Sequence, residues 1–362
     1  MQHYKVMISV WRLFIAAVCF NQLAYSIIVG DDTSVSRQAN VFFPSADTDN
    51  NMQGFASFEN GITLEDASTT CTFNSLLRLS GSVNWSHGEF HLLRDVKLSD
   101  PCYIMSMGHI FGNNHTLELA PSTTALDLQL EETYTLDSVS IKLSNNLTLS
   151  LHLSFNNESA IFGNGYAIDF AQTGSISVGA GGSLLLKNLT LKNLSSSRLA
   201  CLDTNATVTL QNVNIILDDH YSFDLGHFDI VGKVFVDGRY TFSYKSGSIS
   251  RIQNHGVLSL GEKTTFRYEP STAEQNGLSF IDSTGCFFLN GGVLSSSTTG
   301  LQLTKGNLLI DGKVGIQSDA ISSAEGIIFG NGIDASSDLK VVIMPEGNIE
   351  LQSGYLVNKN LS

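Results

Sequence analysis

The sequence predicts an all-β chain wound as a right-handed parallel β-helix, and three observations carry that expectation. From about Gly61 onward, short runs of Val, Ile, Leu and Phe alternate with Ser, Thr and Asn, the period-two pattern of strands. Stretches with apolar residues at three-and-four spacing are almost absent. The chain also resembles itself at a fixed offset: Leu186-Lys187-Asn188-Leu189-Thr190-Leu191 matches Leu210-Gln211-Asn212-Val213-Asn214-Ile215, and Val236, Phe242 and Tyr244 match Leu260, Phe266 and Tyr268, both 24 residues on. A strand-and-turn unit of that size cannot bury its own apolar side, so it must stack on its neighbours.

Looser copies follow at Phe288-Leu289-Asn290-Gly291 and Leu309-Ile310-Asp311-Gly312, spaced by 21 residues. A longer signature occurs as Ile110-Phe111-Gly112-Asn113-Asn114, Ile161-Phe162-Gly163-Asn164-Gly165 and Ile328-Phe329-Gly330-Asn331-Gly332, the first two 51 apart and so expected about two coils from one another. Asn-Gly and Asp-Gly steps fall at matching repeat positions, as coil corners would. Asn188 and Asn212 are expected to point inward and form an amide ladder. The pattern runs without a linker, so one helical domain is expected over residues 61–362, preceded by a polar leader or N-terminal cap over 27–60.

The first 26 residues read as a secretory signal peptide. Lys5 and Arg12 flank the start, Leu13 to Phe20 is apolar, and Ala24-Tyr25-Ser26 offers small residues for cleavage. The apolar run is shorter than the roughly 20 residues needed to span a bilayer, and no later segment could cross as a helix. The expected address is therefore secreted, extracellular or cell-surface, with the periplasm as the alternative.

Only 15% of the 362 residues are charged, 42% are hydrophobic, and the formal net charge is −14. This composition favours a folded chain and argues against a nucleic-acid or anionic-lipid partner, which would need clustered cations. Four cysteines remain after the signal, at 71, 102, 201 and 286. Cys71 and Cys102 are the pair closest in sequence and could staple the N-terminal region, but four cysteines allow three connectivities and each is equally readable as a small buried hydrophobe.

The repeat style resembles the superfamily of secreted right-handed parallel β-helix proteins that includes pectate lyases, polygalacturonases, phage tailspikes and autotransporter passenger domains, over about residues 75–355. A looser resemblance is to chlamydial polymorphic outer-membrane proteins, through the Phe-x-x-Asn form of Phe111-Gly112-Asn113-Asn114. Gly181-Gly182-Ser183 and Gly291-Gly292-Val293 stand where those proteins carry Gly-Gly-Ala-Ile.

Polysaccharide hydrolysis in such folds needs paired carboxylates. The densest acid and histidine group is Asp218-Asp219-His220 with Asp224, His227 and Asp229, so Asp218, Asp219 and His227 are the candidate catalytic set. The resemblance to polygalacturonases covers Asp218-Asp219 and Gly226-His227. Phe228 occupies the place of that family's second glycine, and no Arg-x-Lys step follows at the expected distance. A solvated polar loop explains the same residues. No cofactor fingerprint occurs; the same carboxylates offer hard oxygens to Ca²⁺, with Arg239 or Lys245 as the base a lyase would require. His87, His91, His109 and His115 lack ligand spacing for a strand region.

Tyr240, Phe242, Tyr244, Phe266 and Tyr268 recur at alternate positions on adjacent coils. Facing outward, Tyr240, Tyr244 and Tyr268 would form a sugar-stacking strip; facing inward, the row is core. Seven Asn-x-Ser/Thr sequons, at Asn84, Asn114, Asn146, Asn157, Asn188, Asn193 and Asn205, would be glycan acceptors in a eukaryote, and a chain this rich in Asn, Ser and Thr also generates them by chance.

The function expected is that of a non-enzymatic bacterial surface or secreted protein with an adhesive, envelope-structural or glycan-binding role, its partner a polysaccharide or a host or cell-surface protein. The alternative is a polysaccharide lyase or glycoside hydrolase. Self-association through the solenoid ends is a third expectation, because the C-terminal segment 351–362 offers little cover.

Overall fold

The computed structural model describes residues 109–361 apart from 120, 122, 127–132, 171, 172 and 274, with backbone alone at 125, 126, 133 and 134. Before residue 109 it describes the backbone of short strands between 34 and 105, together with Leu92, Asp95 and Lys97. The signal-peptide segment, the side chains of Cys71 and Cys102, and those of Asn84, His87 and His91 lie outside the described residues.

Every pairing among the described strands is parallel, and each coil visits three faces in turn, which makes the fold a parallel β-helix. On the first face an eight-stranded sheet ends at Leu199–Cys201, and a six-stranded sheet carries on from Tyr221–Phe223 to Asn348–Ser353. The second face carries Thr116–Glu118, Ser140–Lys142 and Glu158–Phe162 early, and Ser250–Ile252, Leu278–Phe280, Ile327–Phe329 and Leu356–Asn358 later. The third face carries Leu147–Leu149 and Ala167–Phe170, then Val257–Leu260, Cys286–Asn290, Asn307–Asp311 and Lys340–Ile343. Strand pairing already begins inside the segment read as a leader, where Ser34–Val35, Asn40–Phe43 and Phe55–Phe58 pair with Ile62–Leu64, Thr70–Phe73 and Leu76–Leu79.

The 24-residue repeat is the rung spacing itself. Leu186 pairs with Leu210, Leu189 with Val213 and Leu191 with Ile215; Val236 pairs with Leu260, Phe242 with Phe266 and Tyr244 with Tyr268. The 21-residue copies are also rung neighbours, with Leu289 opposite Ile310 and Asn290 opposite Asp311. The Ile-Phe-Gly-Asn signature behaves differently. Ile110 stacks on Leu136 and Phe155 on the first face, whereas Ile161 stacks on Ile141 and Leu117 on the second. The 51-residue spacing is therefore not two coils. The motif is a local strand-to-corner signal that recurs wherever Gly and Asn turn the chain, because these residues accept the left-handed backbone, as at Asn113, Asn114, Asn164 and Gly165.

Three long strands, Ser183–Leu194, Thr207–Leu217 and His227–Asp237, run across the second and third faces and bend at Asn188, Asn212 and Gly232, with φ of 53°, 56° and 82°. The amide ladder forms here: Asn212 Nδ2 donates to Asn188 Oδ1 at 3.1 Å, and the Lys233 N–H donates to Asn212 Oδ1 at 3.1 Å. Both asparagines are exposed, which corrects the inward assignment. A left-handed bend directs its side chain out of the corner, so the ladder lines an outer edge. The same logic explains the sequons. Asn114, Asn146, Asn157, Asn188, Asn193 and Asn205 are all exposed, and four of them have positive φ.

The interior is stacked rows. On the first face Tyr221, Phe242, Phe266, Leu294 and Ile316 form one column, and Phe223, Tyr244, Tyr268, Ser296 and Ser318 the next. Phe242 and Phe266 stack with centroids 5.8 Å apart, as do Tyr244 and Tyr268. Each buried phenol has a partner: Tyr221 donates to the Leu199 carbonyl, Tyr244 donates to the Ser248 carbonyl, and Tyr268 accepts from the Gly277 N–H. Cys201 and Cys286 are free thiols and buried, and burial pushes the Cys201 thiol up to about 12.

On the outer side of the second face Glu118 lies between Lys142 at 2.9 Å and Lys97 at 2.8 Å. Hydrogen bonds from Lys142 and then Lys97 lower its carboxyl to about 2. A carboxylate whose folded value is depressed contributes stability above its unfolded value near 4.5, and that contribution disappears as pH falls through about 2. Both lysines are well exposed, so the effect is expected to stay below about 1 kcal/mol. Glu118→Gln should flatten the fall of the thermal midpoint between these pH values in low salt, and high salt should erase the difference. An identical acid limb for both proteins would show the triad to be energetically silent.

Candidate functional site

The candidate catalytic residues sit at different corners. Asp218 and Asp219 end the third face, His227 opens the second, and the whole first-face strand Tyr221–Phe223 separates them. At about 3.3 Å per residue the two corners lie on the order of 15 Å apart, beyond hydrogen-bond reach between either carboxylate and the His227 imidazole. The individual groups are also committed locally. Asp219 Oδ1 accepts its neighbour His220 N–H at 2.7 Å, and His220 Nδ1 accepts the Thr241 N–H at 3.1 Å. His227 Nδ1 donates to the Ile249 carbonyl at 2.8 Å. Asp224 accepts the Ser222 hydroxyl, and buried Asp229 accepts the Arg251 N–H and Gln253 Nε2.

The Gly226-His227 step has a structural cause. Gly226 sits at φ +77° directly over Cys201, where a Cβ would lie 2.5 Å from the Ala206 carbonyl oxygen. Lys245 pairs with Glu269 at 3.7 Å, and Arg239 is exposed. Among the described residues no group of three or more His, Cys, Asp or Glu side chains is placed to hold a metal ion. His109 stacks on Phe111 and faces Asp137, while His115 faces Asp95, so these two histidines go to separate partners.

The tyrosine strip divides. Tyr244 and Tyr268 are 1% and 0% exposed and belong to the core, which removes them from any sugar platform. Their alternation placed them correctly on one side of the sheet, and the apolar demand of the interior decided which side. Tyr240 is half-buried, packs against the core and meets the edge of His220 at 5.7 Å.

The outer side of the third face holds the arrangement that alternation alone does not reveal. Asn214, Phe235, Ser259, Phe288, Leu309 and Val342 are in register, one per rung. Each of Phe235, Phe288 and Leu309 lies between two fully buried neighbours, Val234 and Val236, Phe287 and Leu289, and Leu308 and Ile310, so each points outward, and each is only partly exposed. A second outward column carries Lys233, Val257, Cys286, Asn307 and Lys340, and a third carries Ile216 and Asp237 and, further along, Asn290 and Asp311. The result is an apolar strip with amide, carboxylate and ammonium groups along its margins. From Phe235 to Val342 it spans four rung spacings, about 19 Å, and three columns give a width of roughly 13 Å.

The sequence does carry a signal for it. Val234-Phe235-Val236, Phe287-Phe288-Leu289 and Leu308-Leu309-Ile310 are unbroken apolar runs, the pattern of strands covered on both sides. Compared with known proteins, the chain matches no family model, no curated protein and no solved structure. Among the described residues no helix is long and apolar enough to cross a membrane.

Proposed function

We propose that this protein is an extracytoplasmic β-helix that holds an extended polysaccharide along its third face without cleaving it. The observation that carries this reading is the outward row Phe235, Phe288 and Leu309, with Ser259 between the two rings. The two phenylalanines are two rungs apart, about 9.6 Å, a spacing on the scale of a disaccharide in an extended chain. Aromatic rings supply flat apolar area at low entropic cost, and the marginal Asn290 amide, Asn307 Oδ1 and the second carboxylate oxygens of Asp237 and Asp311 supply hydrogen bonds to sugar hydroxyls, while Asn307 Nδ2 and the Oδ1 atoms of the two aspartates hold local backbone groups. The strip covers on the order of 250 Å², by the same rung and residue spacings. That is well short of the roughly 800 Å² per partner of a standard protein interface, and it suits a narrow polymer better than a globular partner. The scattered acids and histidines of residues 218–229 favour binding over hydrolysis.

Retention of the purified chain on a panel of neutral and acidic polysaccharides, scored by affinity electrophoresis alongside an assay for new chain ends, tests this. The double substitution Phe235→Ala/Phe288→Ala is expected to weaken retention at least tenfold, about 1.4 kcal/mol, while leaving the fold intact because both rings face outward. Retention unchanged by the double substitution would remove the third face from consideration. New chain ends that disappear in Asp219→Asn would replace binding with hydrolysis.

A further inference from the structure

We infer that the polysaccharide held by the third face is an extended polyanion with a carboxylate on every second sugar, all of them along one edge. The inference rests on the reading of that face as a sugar strip, and the charges flanking the strip carry it. The outward column on one side holds Lys233 and, in register further along, Asn307 and Lys340. Lys305 stands exposed in the turn just before Asn307. The outward column on the other side holds Asp237 and, further along, Asn290 and Asp311. One margin is therefore cationic and the other anionic. Lys97, Lys142, Lys245 and Lys313 are tied to carboxylates, whereas among the described residues no carboxylate pairs with Lys233, Lys305 or Lys340. Asp282 is the acid of the turn before Cys286, and its Oδ1 accepts both the N–H and the hydroxyl of Thr284, at 2.8 and 2.6 Å. On the opposite margin the Gly238 and Gly312 N–H groups donate to Oδ1 of Asp237 and Asp311 at 2.8 and 3.0 Å, which fixes both carboxylates at the edge. Beyond that column the corner turns add Arg239 and the adjacent Glu262 and Lys263, whose charges offset one another.

The two margins restrict the ligand. Successive sugars of a flat β-1,4-linked ribbon turn over, so a group carried by every sugar alternates between the edges, and a group carried by every second sugar stays on one. The margins are about 13 Å apart, more than the roughly 8 Å over which a charge is felt at physiological salt. Each edge of the ribbon therefore meets its own margin. A ribbon with a uronate at every second sugar can bring all its carboxylates to the lysine edge and leave hydroxyl groups against Asp237 and Asp311. A ribbon with a uronate at every sugar must set half its carboxylates against the aspartates, whichever way it lies. That repulsion discriminates between the two polymers, and the formal charge of −14 adds to it. The spacing agrees. Lys233 and Lys340 are four rungs apart, about 19 Å, or two of the two-rung intervals that separate Phe235 from Phe288.

Titration calorimetry of the full chain with β-1,4-linked glucose hexasaccharides, bearing glucuronate at no sugar, at alternate sugars or at every sugar, is the test. The alternate ligand is expected to bind about fivefold more tightly than the neutral one, the sum of two exposed charge pairs, and the fully oxidised ligand is expected to bind most weakly. Lys233→Gln/Lys340→Gln should bring the alternate ligand down to the affinity of the neutral one. Asp237→Asn/Asp311→Asn should tighten binding of the fully oxidised ligand about threefold. Neutral and alternate ligands of equal affinity, tightest binding of the fully oxidised one, or an alternate preference that survives the lysine substitutions would each overturn the inference. In those cases a loss of binding in Phe235→Ala/Phe288→Ala would still uphold the sugar strip. Binding of none of the three hexasaccharides also overturns the inference, and the strip falls with it only if the polysaccharide panel is not retained either.

Discussion

Phe242→Ala is expected to destabilise the protein by about 3–5 kcal/mol, the range for truncating a fully buried aromatic side chain. Phe242 is 2% exposed and touches three rings: Tyr221 above at 5.0 Å, Phe266 below at 5.8 Å, and Phe228 across the interior at 5.4 Å, which in turn meets Phe223 at 5.0 Å. Strands on both sides are pinned in register, so the walls cannot collapse into the void. Urea titration measures the loss. Because rungs stack one-dimensionally, the damage should concentrate in the adjoining coils, and amide exchange should rise first at Tyr221–Phe223 and Thr265–Tyr268. A loss below about 1 kcal/mol would mean that the aromatic column repacks as a fluid interior would.

Gly226→Val is expected to cost about 2–5 kcal/mol from two independent sources. A β-branched residue at φ +77° carries the steric penalty of the left-handed region, about 1–2 kcal/mol. Its Cβ would also lie 2.5 Å from the Ala206 carbonyl oxygen and 2.6 Å from the Cys201 Cβ, an overpacking of the kind that costs about 1–3 kcal/mol. Thermal and urea unfolding of the variant measure the sum. Paired with Cys201→Ala, which removes only the thiol's share of the clash, the variant should recover part of the loss and never all of it, since the backbone penalty stays. Full stability in Gly226→Val would show that the corner has room to move, and the structural account of the Gly226-His227 step would fail.

These two sites also mark where sequence reasoning succeeds and stops. Phe242 was legible because its partner Phe266 recurs 24 residues on, and a repeat of apolar identity fixes rung register without any knowledge of the third dimension. Gly226 next to His227 read as half of a catalytic motif. Spelling cannot separate a glycine needed for chemistry from one that clears space for a carbonyl on the preceding coil, because that carbonyl belongs to Ala206, 20 residues away in the chain. The repeat puts Asn188 and Asn212 in one ladder, as the structure has them, but it does not say on which side of the wall they lie, since a repeat gives the register of a side chain and the local φ gives its direction.

The sequence by itself determined the class of fold and, where apolar residues recur at an offset of 24 or 21, the rung length and the register of the core columns, because these follow from local alternation and from identity at a fixed offset. Only the tertiary structure decided which side of each face a residue occupies, that Tyr244 and Tyr268 are interior and Phe235 and Phe288 exterior, and that Asp219 and His227 stand at separate corners. The physical reason is common to all three. In a three-faced coil a side chain's environment is set by the bends before and after its strand and by the rungs stacked on either side, and the period-two pattern is the same whether a strand is covered on its inner face alone or on both.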